Sequence, residues 1–201
     1  MNLFVLILLG YLIGSVPFAL VIGKVFYKTD VREFGSKNLG GGNTGRVLGK
    51  KAGLSVMTLD ILKVSLVVFL AVHFCPNPNA PVYGGLAAAI GHCFPLFARF
   101  KGGKAVATMY GFLFGLFAVA GYSPLMFFLP LLAFLLVLYL TKIIALASIF
   151  SAVAVTVYSL VAYGATPVFL ALVVFTLIIV VRHRKNIERI LSHTENKITW
   201  M

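Results

Sequence analysis

Acidic residues are scarce in this chain. Only 5 Asp and Glu stand against 17 Lys and Arg among 201 residues, which gives a net charge of +12. Such an excess can indicate nucleic-acid binding. Here the basic residues lie between long apolar segments, which favours membrane lipid or a phosphorylated substrate as the partner. We therefore expect no nucleic acid among the partners.

Cysteine is also rare. Cys75 and Cys93 fall at opposite ends of different predicted spans, which argues against a structural disulfide, and their spacing suits no metal site. We expect neither a metal nor another cofactor. The N-terminal residues lack a basic n-region and a small-residue cleavage site, so we expect the first apolar segment to be retained.

Apolar residues, in contrast, make up 61% of the chain, and the mean hydropathy is +1.03. A soluble domain of this length cannot bury that much apolar surface. We predict an all-α, multi-pass membrane protein with one domain over residues 1–201. Seven segments approach the ~20 residues that a span needs, at 3–22, 54–74, 82–98, 105–120, 125–140, 143–162 and 168–181. Five spans would result if two pairs of stretches were merged, but turn residues at each break favour seven.

The basic residues predict the orientation. They concentrate in the loops 23–53 and 99–104 and in the tail 182–201, with Lys63 and Lys142 besides, while the other three links contain none. The positive-inside rule places these loops and the tail in the cytoplasm and Met1 outside.

The polar stretch Gly35–Arg46 contains five glycines in 12 residues and no carboxylate. Glycines allow backbone N–H groups to approach a ligand closely, and this composition is typical of a loop that wraps a phosphate. A flexible linker is the alternative. The candidate binding residues are Ser36, Lys37, Asn38, Gly40, Gly41, Gly42, Asn43, Thr44 and Arg46.

A second candidate is Lys101-Gly102-Gly103-Lys104, which opens the fourth predicted span. A helix N-terminus offers unpaired N–H groups and the positive pole of the helix dipole, so this segment is predicted to contact phosphate. Lysines at a membrane edge can also be mere topology markers.

Among the ionisable residues inside predicted spans, three are candidates for a role near the site. Asp60 and Lys63 are three residues apart, and intramembrane charges usually face the protein interior. They are either a paired structural couple or a pair that orients the glycine stretch or a substrate hydroxyl. His92 is assigned to the same orienting group, with a buried structural histidine as the alternative. Ser148, in the sixth span, either contacts substrate or bonds its own helix backbone.

The third candidate follows the last span, from Arg182 to Arg189. Basic residues are expected there, but the positive-inside rule requires neither His183 nor Asn186 nor Glu188.

Together these segments resemble the PlsY-type glycerol-3-phosphate acyltransferases, which are acyl-phosphate-dependent enzymes of bacterial membranes. The resemblance covers nearly the whole chain. The chain departs from the family pattern at Lys37 and Leu39, where Gly and Pro are common. The matching residues are Gly35, Ser36, Asn38, Gly40, Asn43 and Arg46, then Gly91, His92, Phe94, Pro95 and Phe100–Lys104, then Arg182, His183, Asn186, Ile187 and Arg189.

The resemblance implies acyl transfer from acyl phosphate to the 1-hydroxyl of glycerol 3-phosphate, giving lysophosphatidate and phosphate, without acyl-CoA or acyl carrier protein. It implies a multi-pass protein of the bacterial plasma membrane with its active site at the cytoplasmic face. The H-x-x-x-x-D motif of other glycerol-3-phosphate acyltransferases is absent. We expect the Gly35–Arg46 stretch to hold the acyl phosphate, and Lys104, His183, Asn186 and Ser148 to hold glycerol 3-phosphate. The expected catalytic residues are Ser36, Arg46, Lys104 and His183.

Two other functions would also explain the basic residues. A transporter or channel for phosphorylated solutes fits the glycine stretch equally well, but it predicts polar groups along a path to the outer face, where the links are nearly featureless. A lipid-binding scaffold would need neither His183 nor Asn186.

Overall fold

The computed structural model describes residues 1–198, so the last three residues of the predicted tail lie outside the described part. The described residues form helices and no strand, as predicted. The helices are α1 (Leu3–Gly14), α2 (Phe18–Tyr27), α3 (Gly41–Leu48), α4 (Lys50–Phe74), α5 (Ala80–Cys93), a 3-10 helix (Leu96–Ala98), α6 (Val106–Val119), α7 (Leu125–Thr141), α8 (Ile144–Tyr163), α9 (Pro167–Arg182) and α10 (Arg184–Leu191).

The helices divide into two compact units. The first comprises Met1–Ala120 and the second begins at Gly121. The single membrane domain predicted over residues 1–201 stays a prediction.

Several helices are long and apolar enough to cross a membrane. Four helical segments qualify, two of which join consecutive helices (α1 with α2, and α5 with the 3-10 helix). The bent pair α9–α10, at 58°, would be a fifth if it is one span. The remaining apolar helices, α6 and α7, have 14 and 17 residues. At 1.5 Å per residue they measure about 21 and 26 Å, less than the ~30 Å hydrocarbon core. The helices agree with a multi-pass membrane protein, while the seven crossings and their orientation stay predictions. The four are Leu3–Tyr27, Lys50–Phe74, Ala80–Ala98 and Ile144–Tyr163.

The first predicted span, 3–22, is interrupted as a helix, while the segment Leu3–Tyr27 remains a candidate span. The chain leaves helical geometry at Ser15-Val16-Pro17, between α1 and α2, and α2 runs on to Tyr27. Proline causes this break because it has no N–H for the helical ladder and its ring clashes with the preceding turn. The third predicted span, 82–98, is likewise divided into α5 and the 3-10 helix at Phe94-Pro95.

The loop predicted over 23–53 is largely helical. It contains the end of α2, all of α3 and the first turn of α4. Within it, only residues 28–40 form a long non-helical connection.

In the first unit, α4 is the central helix and packs against α1, α2, α3, α5 and α6. Small residues bring the backbones close together. A Cβ on Gly14 would overlap the Ala88 carbonyl of α5, and one on Gly111 would overlap the Ile61 carbonyl of α4. Because the hydrophobic effect does not favour contact between helices that are surrounded by lipid, such close backbone packing is a main contribution to helix–helix association.

In the second unit, α8 packs against both α7 and α9, and α10 contacts α8 and α9. Thr156 of α8 and Thr176 of α9 share a hydrogen bond of 2.9 Å between their hydroxyls. Hydroxyl bonds of this kind join neighbouring helices in membranes.

Candidate active site

Asn43, the third residue of α3, fixes the segment that carries Ser36. Its Oδ1 accepts the Ser36 N–H at 2.7 Å and the Ser36 hydroxyl at 3.1 Å. Its Nδ2 donates to the carbonyls of Val31 at 2.9 Å and Phe34 at 3.3 Å. Asn43 is buried and Ser36 is exposed. The amide of Asn43 is therefore used inside the protein, and the exposed hydroxyl of Ser36 is the group that it positions.

The N-terminus of α3 presents backbone rather than side chains. Gly40 precedes the helix, and no described side chain caps it. The amides of Gly41 and Gly42, in the first turn, have no place in the intrahelical ladder. A Cβ on Gly42 would meet nothing within 4 Å, so an open space adjoins this turn. The exposed side chains of Lys37 and Arg46 add positive charge to the same short part of the chain.

Two other glycines hold α3 against α4. A Cβ on Gly53 of α4 would lie 2.6 Å from the Cα of Gly45 and 2.8 Å from the carbonyl oxygen of Gly41. Thr44, buried beside them, gives its hydroxyl to the Gly40 carbonyl at 3.1 Å. Glycine and threonine thus serve packing and helix geometry at these positions.

The connection before this segment is held by Asp30. Its carboxylate accepts from the Arg32 guanidinium at 2.6 and 3.0 Å, and Lys24 Nζ lies 3.3 Å away. The hydrogen bonds from Arg32 hold the pKa of Asp30 well below its usual range, and Lys24 acts in the same direction.

The segment Lys101–Lys104 lies in the non-helical connection before α6. Lys101 is exposed, Lys104 is half-buried, and both glycines are buried. The Gly103 N–H donates to the carbonyl of His92 at 3.0 Å. A Cβ on Gly102 would overlap that same carbonyl, and one on Gly103 would overlap the His92 ring at Nε2. Only glycine allows this close approach to the end of α5.

Asp60, Lys63 and His92 form one buried cluster. Lys63 Nζ lies 2.7 Å from Asp60 Oδ1 and donates to the carbonyl of Val16 at 3.0 Å. It also lies 3.1 Å from His92 Nδ1, which is 3.5 Å from Asp60 Oδ1. Val16 belongs to the break between α1 and α2, so Lys63 joins that break to α4 and α5.

One apolar core underlies both polar segments. It contains Val31 and Leu39, which flank the Ser36 segment, together with Ala98, which precedes Lys101. These residues pack against α2 and α4, so both segments rest on the same buried surface.

An apolar groove of about 580 Å³ opens elsewhere in the first unit, between the α1–α2 break, α4 and α6. Phe18 and Lys63 line one part of it, and Phe69, Phe114 and Val119 line another.

In the second unit, His183 occupies the bend between α9 and α10. It is 3% exposed, and its Nδ1 lies 2.8 Å from the Ile179 carbonyl. A carbonyl only accepts, so Nδ1 carries the proton and the neutral ring has its lone pair on Nε2. This tautomer is the one that a base acting through Nε2 requires.

Glu195 orients the side chain of Asn186. Its Oε1 accepts from Asn186 Nδ2 at 2.7 Å, and its Oε2 accepts from Arg189 Nε at 2.6 Å. Sequence analysis did not identify Glu195, and singled out Glu188, which is exposed. The available signal was that Glu195, one of only five Asp and Glu residues in the chain, lies in a basic tail, six residues beyond Arg189.

Comparison with known proteins decides the family. The family model of glycerol-3-phosphate acyltransferase matches residues 4–193. The chain belongs to this family. The acyltransferase is 42% identical to a glycerol-3-phosphate acyltransferase of Enterococcus faecalis, over all of this chain and 94% of that protein. It is 45% identical to the one of Geobacillus kaustophilus, over 97% of this chain and 95% of that protein.

Two solved structures are also similar to the acyltransferase. Both are crystal structures of PlsY (YgiH), described as an integral membrane glycerol 3-phosphate acyltransferase, and both are 34% identical to this chain. The glycerol 3-phosphate form has a TM-score of 0.90 and matches 98% of this chain and 96% of its own. The lysophosphatidic acid form has a TM-score of 0.86, with 98% and 95% matched. The PlsY-type resemblance and the multi-pass membrane assignment are confirmed.

The predicted site residues of the acyltransferase fall into two groups. Some side chains or amides are accessible, among them Ser36, Arg46 and Lys101. Others are held inside the fold, and Ser148 is one: 1% exposed, it donates to the Ile144 carbonyl of its own helix at 2.8 Å. Their roles toward substrate stay predictions.

Proposed function

We propose that this acyltransferase moves a fatty acyl group from acyl phosphate to the 1-hydroxyl of glycerol 3-phosphate. The hydroxyl oxygen bonds to the acyl carbon, the bond from that carbon to the phosphate oxygen breaks, and the products are lysophosphatidate and phosphate. The observation that carries the proposal is the family match over residues 4–193, joined to the anion-binding composition of Gly35–Arg46. Family membership argues for an enzyme rather than a transporter, channel or scaffold.

In this proposal the phosphate of the donor binds at the N-terminus of α3. The amides of Gly41 and Gly42 point out of the first turn, where the helix dipole is positive. Asn38 adds a neutral donor, and Lys37 and Arg46 add charge. The Ser36 hydroxyl can donate to the phosphate once it gives up its bond to Asn43 Oδ1. Acyl phosphate is already activated, so no covalent nucleophile is needed. Stabilising the charge that develops on the leaving phosphate is then the largest catalytic contribution.

Three residues predicted to bind substrate have side chains that are hydrogen-bonded within the protein. Asn43 and Thr44 are buried, and the structure shows their side chains bonded to other parts of the chain. Ser148 is bonded to its own helix. We propose that Asn43 places Ser36 and that Thr44 supports the first turn of α3.

The phosphate of glycerol 3-phosphate is assigned to Lys101–Lys104. The ammonium groups of Lys101 and Lys104 flank this segment, and their positive charge suits a dianion. Holding two phosphates close to each other is unfavourable unless cations surround them, and this chain supplies cations on both segments.

The proton of the attacking hydroxyl goes either to His183 or to the donor phosphate. His183 fits the first role because its Nδ1 proton is held by Ile179, which leaves Nε2 as the acceptor. Asn186, fixed by Glu195, would orient the glycerol group. Changing His183 to Ala separates the two routes: loss of kcat by about a hundredfold or more supports the histidine as base, and a loss of only a few-fold assigns the proton to phosphate.

The apolar groove of the first unit is a suitable place for the acyl chain. Its lining is almost entirely hydrocarbon, and its volume of about 580 Å³ lies within the range of small-molecule binding sites.

The deciding experiment uses the purified full chain with fatty acyl phosphate and glycerol 3-phosphate. We expect release of phosphate and formation of lysophosphatidate in equal amounts. Acyl-CoA or acyl carrier protein in place of acyl phosphate should give no product. Arg46→Ala and Lys104→Ala should each reduce kcat/KM strongly, and wild-type values in both would refute the charge-stabilised mechanism.

We further propose seven crossings, with Met1 outside and the active site at the cytoplasmic face of the bacterial plasma membrane. A membrane-impermeant thiol reagent tests this in intact cells. Ala165→Cys, in the exposed link between α8 and α9, should react from outside, and Lys197→Cys only after permeabilisation. The native Cys75 and Cys93 are buried, so the wild-type chain is the blank. The reverse labelling pattern would invert the topology.

A further inference from the structure

One residue of the buried cluster of Asp60, Lys63 and His92, namely His92, contacts the proposed binding segment Lys101–Lys104. The three residues are 2%, 4% and 6% exposed. An ammonium group can only donate hydrogen bonds, so the contact of 3.1 Å between Lys63 Nζ and His92 Nδ1 assigns the lone pair to Nδ1. The ring proton of neutral His92 is therefore on Nε2.

That Nε2 edge faces Gly103. A Cβ on Gly103 would overlap Nε2, and the Gly103 N–H also bonds the His92 carbonyl at 3.0 Å. The segment thus rests on His92 through both ring and backbone. Lys63 holds the opposite edge of the ring, and it is itself held by Asp60 at 2.7 Å and by the Val16 carbonyl at 3.0 Å.

We propose that His92 is a positioning residue for the acceptor substrate: its ring sets the place of Gly102–Lys104, and the Asp60–Lys63 pair sets the ring. The inference rests on the proposed binding of glycerol 3-phosphate at Lys101–Lys104. A merely structural ion pair would affect stability and both substrates alike. A positioning residue affects one substrate selectively, because only the segment in contact with the ring is displaced.

Two substitutions test the two edges of the His92 ring separately. An Asn side chain places its amide near the position of Nδ1, and a Gln side chain reaches the position of Nε2. In His92→Asn the contact with Lys63 is kept and the Nε2 edge is lost. We expect KM for glycerol 3-phosphate to rise about tenfold, the effect of one lost buried contact, with kcat and the KM for acyl phosphate within about threefold. In His92→Gln the KM should return toward the wild-type value.

The matched control is His73→Asn. His73 is exposed near the end of α4, stacks on Phe69 and bonds its carbonyl at 2.9 Å. It contacts neither the segment nor the cluster, so its substitution should leave both KM values unchanged. If His92→Asn proves too unstable to purify, Gly103→Ala approaches the same contact from the other side. Its methyl group overlaps Nε2, so the same selective rise in KM is expected.

Equilibrium dialysis of the full chain with labelled glycerol 3-phosphate gives a second readout. The dissociation constant should rise in parallel with KM in His92→Asn and return in His92→Gln. A fall in kcat of a hundredfold with KM unchanged would overturn the inference in favour of a catalytic role. Variants indistinguishable from His73→Asn would overturn it as well. If wild-type protein releases no phosphate from acyl phosphate, the proposed donor is wrong, but dialysis still tests His92.

Discussion

Asn43 and Ser36, seven residues apart, are joined by two hydrogen bonds to a single oxygen, from the Ser36 N–H at 2.7 Å and the Ser36 hydroxyl at 3.1 Å. The neighbouring Gly35 has φ of +58° and leaves no room for a side chain, because a Cβ there would lie 2.5 Å from the same oxygen. The conformation that exposes Ser36 is therefore determined by Asn43.

Asn43→Asp should destabilise this arrangement. Aspartate retains an acceptor for Ser36, but it cannot donate to the Val31 and Phe34 carbonyls and places a charge in a buried position. We expect a loss of about 1–3 kcal/mol in the free energy of unfolding and a higher KM for acyl phosphate. Asn77→Asp, in the link before α5, is the control, since Asn77 uses only its acceptor oxygen there. Equal effects of both variants on thermal unfolding and KM would contradict this role of Asn43.

Gly53→Ala should separate α3 from α4. The new Cβ would lie 2.6 Å from the Cα of Gly45, which is backbone and cannot move aside. Overpacking of this kind typically costs about 1–3 kcal/mol, and acyl transfer should fall because the first turn of α3 moves. Gly45→Ala is the control: its Cβ would lie an ordinary 3.6 Å from Gly53. The idea fails if thermal unfolding and activity respond equally to the two variants.

Glu195→Gln should release Asn186 and Arg189. The Gln amide can still accept from one of them, but it turns a donor toward the other. We expect a loss of about 1 kcal/mol, because Arg189 is partly exposed, and a clear drop in kcat/KM as Asn186 loses its fixed orientation. Glu188→Gln, on the exposed face of α10, should behave as wild type. Steady-state kinetics of the two variants decide the matter, and a similar drop in both would remove the assigned role of Glu195.

The ion pair between Asp30 and Arg32 should make the connection between α2 and α3 sensitive to acid. Its pKa is lowered in the folded protein, mainly by the hydrogen bonds from Arg32. The unfolded chain, with a pKa of about 3.9 for Asp, therefore binds a proton first as the pH falls. The stabilisation is complete above about pH 4–5 and is lost as the pH falls toward the folded pKa.

The comparison of wild type with Asp30→Asn measures this contribution. The melting temperature of the variant should be lower at pH 7, and the difference should shrink as the pH falls below about 4. Glu33→Gln, exposed on the same connection, serves as the control. A difference between wild type and Asp30→Asn that does not vary with pH would argue against the ion pair.

The apolar segments were predictable because hydropathy alone identifies helices in lipid. The segments 105–120, 125–140, 143–162 and 168–181 agree with α6 to α9 to within one residue at each end. Pro17 is a local sequence signal for the break between α1 and α2, but a hydropathy average over the whole segment does not detect a single proline. Helix α3 has no such signal: glycine disfavours helix by about 1 kcal/mol per residue, and packing of Gly41 and Gly45 on Gly53 overrides that preference.

Much of the candidate site was predictable by composition, and its geometry was not. Glycines, basic residues and amide side chains indicated the candidate anion-binding segments. Asn43 bonds to residues between 31 and 36, and this role depends on the backbone path of that segment, which sequence spacing does not predict. The partnership of Asn186 with Glu195 depends on the turn after α10. In the case of Asp60 and Lys63, the two side chains are buried and lie 2.7 Å apart, and His92 joins them from α5. That they orient other groups stays a prediction.

The ammonium of Lys63 has three hydrogens, and its three partners are a carboxylate, a carbonyl and an imidazole. With a neutral imidazole the trio carries no net charge, so Lys63 brings no net charge to the hydrocarbon groove that it lines. The groove therefore offers no unpaired cation to a phosphate headgroup, whereas its apolar lining suits an alkyl chain. Under the proposed function, this arrangement would direct the alkyl part of an amphiphilic substrate to the groove and its phosphate to the basic segments.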